Sequence, residues 1–290
     1  MGWLMRRRDF ITLIGGAASW PLAARAQQPT PTPTPTTYVI NSDYGSFNYA
    51  TNSPPDGVSA IPWYAYDSPW NKGRLVRGTD YQETITVTPS TFPNGTVIAW
   101  SWPSTKANGN VYSWPYIGYG TNDGAPPPAT NITPSQVNNL TTLTTTHNLT
   151  IAGRLDNFGC MYEIYLESAS TSSGNFTSIT EIEFYNHTPS YTRGYLTRTL
   201  APSAGNITDQ WGVNWSVWSQ GNNPPKIIVF ARTDFADHMV GSIDFKALLN
   251  FAKSVGLLRG TEWILGLTLG CEPQCNSGSL TINSISINYA

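Results

Sequence analysis

From Tyr38 onward the chain reads as short runs rich in β-branched and aromatic residues, each closed by a turn signal. Helical periodicity is almost absent. Glu83 to Val87 alternates, and Val97 to Trp102 follows the turn Pro93-Asn94-Gly95. Tyr162–Leu166, Ile179–Tyr185, Val213–Trp218, Lys226–Ala231, Trp263–Leu269 and Leu280–Asn288 read likewise. Many strands without intervening helices predict an all-β fold, an antiparallel sandwich or jelly roll. One segment departs from this. Phe245, Leu248, Leu249, Ala252 and Val255 recur at helical spacing, with Ser242 to cap the start and Gly256 to end the helix. Only 12% of the residues are charged, against roughly 25% in an average soluble domain, which argues against a helical bundle. Lys and Arg number 16 against 18 Asp and Glu, so no basic surplus points to nucleic acid.

The first residues belong to a separate argument. Arg6, Arg7 and Arg8 precede an apolar run, Ile11 to Ala18, and Ala24-Arg25-Ala26 offers a small-x-small cleavage site. The run is shorter than the roughly 20 apolar residues of a membrane span. Arg7-Arg8-Asp9-Phe10-Ile11 resembles a twin-arginine export signal. Residues 1–26 are therefore expected to be a signal peptide, with the mature protein secreted or periplasmic and free of the membrane. Its removal leaves 12 basic and 17 acidic residues. Residues 27–37, in which Pro29 to Thr37 alternates Pro and Thr, read as an extended spacer. Residues 38–290 form one domain, with monomer as the default state. In an oxidising compartment Cys271 and Cys275 are close enough in sequence to pair, and three buried thiols are the alternative.

Chemistry has few places to reside. None of His147, His187 and His238 stands at metal-ligand spacing to another His or Cys, no phosphate-binding loop occurs, and no cofactor is implied. The scarce acids are more informative. Glu181 and Glu183 sit in Ile179-Thr180-Glu181-Ile182-Glu183-Phe184-Tyr185, where period 2 puts both carboxyls on one face. Glu163 belongs to another strand, and Glu272 follows an apolar one in Gly270-Cys271-Glu272-Pro273. Two opposed carboxylates are the machinery of glycoside hydrolysis, and Trp and Tyr faces suit sugar rings. Paired acids on a strand equally suit a solvated edge, and Trp-rich strands equally suit a core.

Taken in order, these segments resemble glycoside hydrolase family 12, the compact endo-β-1,4-glucanases and xyloglucanases. Tyr66-Asp67-Ser68-Pro69-Trp70-Asn71-Lys72-Gly73 resembles the family's Asn-x-Trp-Gly segment. Trp100-Ser101-Trp102 and Asn110-Val111-Tyr112-Ser113-Trp114-Pro115 resemble its Trp-x-Trp and the strand after it. Tyr162-Glu163-Ile164-Tyr165 resembles Tyr-Asp-Leu-Phe, Thr180 to Tyr185 resembles Tyr-Glu-Leu-Met-Ile-Trp, and Gly270-Cys271-Glu272-Pro273 resembles Gly-Thr-Glu-Pro. The resemblance implies a concanavalin-like β-jelly roll sandwich of two antiparallel sheets with one α-helix. It further implies a retaining enzyme acting on a β-glucan polysaccharide, with Glu181 as nucleophile, Glu272 as acid/base and Glu163 in support. Trp70, Trp114, Glu183 and Tyr185 would meet the sugar. No metal is required.

The chain also departs from the pattern. Glu183 replaces the Met two residues after the nucleophile, Tyr185 replaces the Trp, and Glu163 is longer than the supporting Asp. Crowded carboxyls cannot all ionise cheaply, so at least one pKa should rise. Glu183 is the alternative nucleophile. The alternative functions are a non-catalytic carbohydrate-binding jelly roll, a xylanase-type carbohydrase and a structural envelope protein.

Overall fold

A computed structural model describes residues 36–48, 62–106, 111–121, 132–170, 178–200, 203–221 and 226–290. The expected signal peptide, most of the spacer and Asn110 lie outside these residues. The first six strands are β1 (Tyr38–Ile40), β2 (Ser46–Asn48), β3 (Trp63–Tyr66), β4 (Gln82–Val87), β5 (Thr96–Ser101) and β6 (Tyr116–Gly120). There follow β7 (Ser135–Gln136), β8 (Leu143–Gly153), β9 (Phe158–Glu167) and β10 (Ser178–His187), then helix α1 (Ser190–Arg198). Next come β11 (Gly205–Thr208), β12 (Asn214–Gln220), β13 (Lys226–Arg232), β14 (Val240–Asp244) and helix α2 (Phe245–Ser254). The last three strands are β15 (Trp263–Ile264), β16 (Gly266–Pro273) and β17 (Ser277–Tyr289).

The strands form two sheets, the two-layer arrangement of a β-jelly roll sandwich. The smaller runs β1-β4-β5-β17-β8-β14, and the larger runs β11-β12-β13-β10-β9-β16-β6-β3-β2 with β7 and β15 attached. Two expectations need correction. Strand β10 pairs with β13 in parallel, Glu181 beside Ile227 and Glu183 beside Val229, so the larger sheet is mixed. Alternation determines which face a side chain takes but not strand direction. A parallel neighbour needs a long crossover, supplied here by α1, β11 and β12. The second correction is α1 itself. It buries only Leu196, too thin an apolar stripe for periodicity to reveal.

The main core lies between the sheets. Tyr162, Ile164, Ile182, Phe184, Ile228 and Phe230 of the larger sheet are fully buried there, with Ile85, Ile98, Leu280 and Ile282 of the smaller. Helix α2 adds Phe245, Leu248, Leu249 and Ala252, whereas Val255 is exposed. Its cap is Asp244, whose carboxylate accepts from the Ala247 amide at 2.9 Å; Ser242 lies within β14 and does not cap. Gly256 ends the helix in the left-handed region, φ +77°. The amides of Gly256 and Leu257 there close back onto the Lys253 and Ala252 carbonyls.

The larger sheet also buries side chains on its other, outer face. Tyr64, Tyr66, Trp114, Tyr116, Met161, Tyr185, Leu196 and Trp218 form a second cluster there. Strand β9 is consequently buried along nearly its whole length, and it carries Glu163 into this environment.

Candidate active site

Strand register assembles the outer face. Glu183 lies opposite Glu163, and Glu181 opposite Tyr165. On the other side of β9, Thr268 lies opposite Glu163, Gly270 opposite Met161 and Glu272 opposite Gly159. Side chains alternate between faces. Glu181, Glu183 and Tyr185 of β10, Met161, Glu163 and Tyr165 of β9, and Thr268, Gly270 and Glu272 of β16 therefore all project outward, away from the core. Carboxyls from three adjacent strands meet on one surface. Their mutual influence extends from Glu181 to Glu272, as the curl of a strongly twisted sheet allows.

Burial and crowding set the charge state. Glu163 is 2% exposed, while Glu181, Glu183 and Glu272 are half-buried. Burial, followed by the charges of its neighbours with Glu181 foremost, holds the Glu163 carboxyl well above the usual carboxylate range. Tyr165 donates to Glu163 Oε1 at 3.2 Å, and the Glu163 side chain also hydrogen-bonds Glu181. Two carboxyls in contact must share a proton. Glu183 is likewise pushed well up by burial and then by the charges of Glu272 and Glu181, against a hydrogen bond from Tyr185. Glu272 is pushed up to about 8, first by burial and then by the charge of Glu181. Of the four carboxyls, Glu163, Glu183 and Glu272 are thus all held above the usual carboxylate range, with Glu181 among the charges that hold them there.

The walls come from loops bound to the Glu272 strand. The Cys271 amide donates to the Pro115 carbonyl at 3.3 Å, and the Tyr112 amide to Pro273 at 2.8 Å. This fixes Trp114 beside Glu272. The Trp114 amide donates to Ser68 at 2.9 Å and the Asn71 amide to Tyr112 at 3.1 Å, so the loops bearing Trp114 and Trp70 are bound together. Trp114 is 6% exposed and Trp70 56%. Trp102, by contrast, is a core residue, stacked between Tyr81 and Tyr112 at 3.9 and 4.6 Å.

Beneath these loops is a polar cluster that the sequence reading passed over. Asp67 and Glu83 are fully buried and hydrogen-bonded to each other. Glu83 Oε2 accepts from Trp102 Nε1 at 3.0 Å and Ser113 Oγ at 2.6 Å. Arg77 pairs with Asp67 and with Asp43 at 2.6 Å. Burial pushes both carboxyls up, Glu83 the more because its partner is another acid. The signal was present in the alternation, since Glu83 is in phase with Ile85 and Val87.

Other residues of the outer face were also missed: Tyr165, Thr268, Tyr64, Tyr116 and Trp218. Tyr165 is detectable as the residue two after Glu163, but the rest needed the strand pairing. The three cysteines are buried free thiols. Cys271 faces Cys160 across β9 and β16 rather than pairing with Cys275. Among the described residues no group of three or more His, Cys, Asp or Glu is arranged to hold a metal ion. Nor is any helix among them long and apolar enough to cross a membrane.

No family model matches the chain, and no curated protein matches its sequence. Solved structures do match its fold. Endoglucanase 3 of Trichoderma harzianum, from family GH12, aligns over 88% of this chain and 98% of its own, at 15% identity and TM-score 0.64. The native family 12 xyloglucanase of Bacillus licheniformis aligns over 87% and 100%, at 14% identity and TM-score 0.66. The catalytic domain of Humicola grisea Cel12A, in complex with a soaked thio cellotetraose, aligns over 87% and 99%, at 15% identity and TM-score 0.64. At these identities the likeness is one of fold.

Proposed function

We propose that the protein is an exported, retaining glycoside hydrolase of family 12 type that cleaves β-1,4-linked glucan. The single observation that carries this reading is the convergence of Glu181 and Glu272 on one face. The first is the charge that helps push the second up to about 8, so one group is ionised while the other keeps its proton. A retaining mechanism needs that division of labour. Glu181 attacks the anomeric carbon and forms a covalent glycosyl-enzyme, while Glu272 protonates the departing glycosidic oxygen. Glu272, now a carboxylate, then takes a proton from water, which displaces Glu181 from the sugar. Glu163 donates a hydrogen bond to Glu181, orients it, and keeps a second negative charge from forming beside it. Trp70, Trp114 and Tyr185 offer aromatic surface to the sugar.

The fold likeness to an endoglucanase, a xyloglucanase and a Cel12A catalytic domain in complex with a thio cellotetraose supports the substrate class. A second assignment within the same mechanism makes Glu183 the nucleophile. It is favoured by register, because Glu183 lies directly opposite Glu163 and two residues nearer the Glu272 end of the sheet.

Reducing-sugar release from barley β-glucan tests the activity, and trapping with a 2-fluoro-glucoside followed by peptide mass spectrometry tests the nucleophile. Labelling of Glu181 is expected, with at least a hundredfold loss of turnover in Glu181→Gln and Glu272→Gln. Labelling of Glu183 would transfer the role to it. Full activity in both variants would end the assignment.

A further inference from the structure

Helix α1 stands outside the two-sheet plan, inserted in the crossover from β10 to β13. It does not pack into the main core. Its one fully buried side chain, Leu196, joins the outer-face cluster with Tyr185 and Trp218. Thr192 hydrogen-bonds Tyr185, and the Tyr195 hydroxyl donates to Gln220 of β12. Gln220 pairs with Ile227, which lies beside Glu181, so this contact is on the same face as the carboxyls. At the other end of α1, the Lys106 ammonium lies 4.6 Å from the Tyr191 ring centroid. Lys106 belongs to the segment between β5 and β6 that also carries Trp114. Nine helical residues span about 13 Å. The helix therefore reaches from the wall beside Glu272 to β12, over the acidic strand β10.

We propose that α1 roofs the cleft on its β10–β12 side and makes the enzyme selective for linear, unbranched β-glucan over xyloglucan. This rests on the hydrolase reading of the same carboxyls. A sugar ring in an open groove can carry a substituent at its 6-hydroxyl that points to solvent. Under a helix anchored at Leu196, Tyr195 and Tyr191, that direction is occupied by protein. An unsubstituted chain presents only ring edges there and still passes.

The test compares kcat/KM on barley mixed-linkage β-glucan and on tamarind xyloglucan. The wild type is expected to favour the linear glucan by more than tenfold. Leu196→Asp expels the anchor of α1 and should lower that ratio at least threefold. Tyr191→Ala, which removes the contact with Lys106 at the exposed end of the helix, should lower it less and guards against a misfolded first variant. Isothermal calorimetry on Glu272→Gln reads the same selectivity without turnover, through cellohexaose and a xyloglucan heptasaccharide. Equal hydrolysis of the two polymers by the wild type would overturn the proposal. So would an unchanged ratio in both α1 variants. Selective binding of cellohexaose without hydrolysis by the wild type would spare the roof and end the hydrolase reading, and binding of neither oligosaccharide would end both.

Discussion

The charge state of Glu272 makes a quantitative prediction about stability. In the unfolded chain this carboxyl releases its proton near the ordinary 4.5, and in the folded protein near 8. The folded state therefore binds the proton more tightly. The stability linked to that proton is fully present below about pH 4.5 and is lost progressively as the pH rises through 8. Each pH unit between those values costs about 1.4 kcal/mol. At pH 7 the penalty of burying Glu272 in protonated form is then about 3 kcal/mol, and above pH 9 it levels off near about 5 kcal/mol. Glutamine has the same shape and carries no charge at any pH. Glu272→Gln should thus match the wild type in stability near pH 4 and exceed it by about 2–3 kcal/mol at pH 7, with some of the gain lost to water at a half-buried site. Urea unfolding followed by tryptophan fluorescence, at pH 4, 5.5, 7 and 8.5, measures the difference. The same variant should lose turnover by about 10²–10⁴-fold, the contribution of a general acid. A stability difference that stays constant across the series, or one that favours the wild type at pH 7, would refute the argument that burial and Glu181 keep Glu272 protonated.

Other parts of the fold give further tests. Activity should decline above about pH 8, where Glu272 loses the proton it must donate; a pH profile of kcat/KM reads that alkaline limb. Arg77→Ala leaves fully buried Asp67 without its ion-pair partner and should cost about 3–5 kcal/mol, seen as a large drop in thermal midpoint. Asp244→Ala removes the cap of α2 and should cost about 1 kcal/mol by denaturant titration. A Cβ on Gly118 would fall 2.3 Å from the Tyr64 ring, too close for any real contact. Gly118→Ala should displace that ring from the outer face, cost about 1–3 kcal/mol, and weaken cello-oligosaccharide binding in a calorimetric titration.

Much of the architecture was legible in the chain because strands have a short period. The alternation in Glu181-Ile182-Glu183-Phe184 puts acids on one face and apolar groups on the other, and the structure keeps that division. The alternation of Glu83 with Ile85 and Val87 carried equally good information. It identified a carboxyl headed into the interior, and only its partners Asp67, Trp102 and Ser113 explain how it is tolerated there. The stripe of α2 was legible as well, but its cap was misplaced by two residues because Ser242 and Asp244 are both good capping residues and only the end of β14 distinguishes them. Helix α1 was illegible. Its single buried Leu196 leaves no stripe, and it packs on a sheet face that sequence alone leaves unassigned.

The sequence by itself determined the all-β class, which residues each strand turns inward and outward, and the small set of strand-borne acids. All of these depend on neighbours two to four positions apart. The tertiary structure decided what depends on residues far apart in the chain. It paired β10 with β13 in parallel, brought Glu163, Glu181, Glu183 and Glu272 onto one face, and laid α1 across it. The physical reason is that a carboxyl's charge state follows from its burial and its nearest charges. For Glu272 those include Glu181, 91 residues earlier in the chain, and no local pattern encodes that proximity.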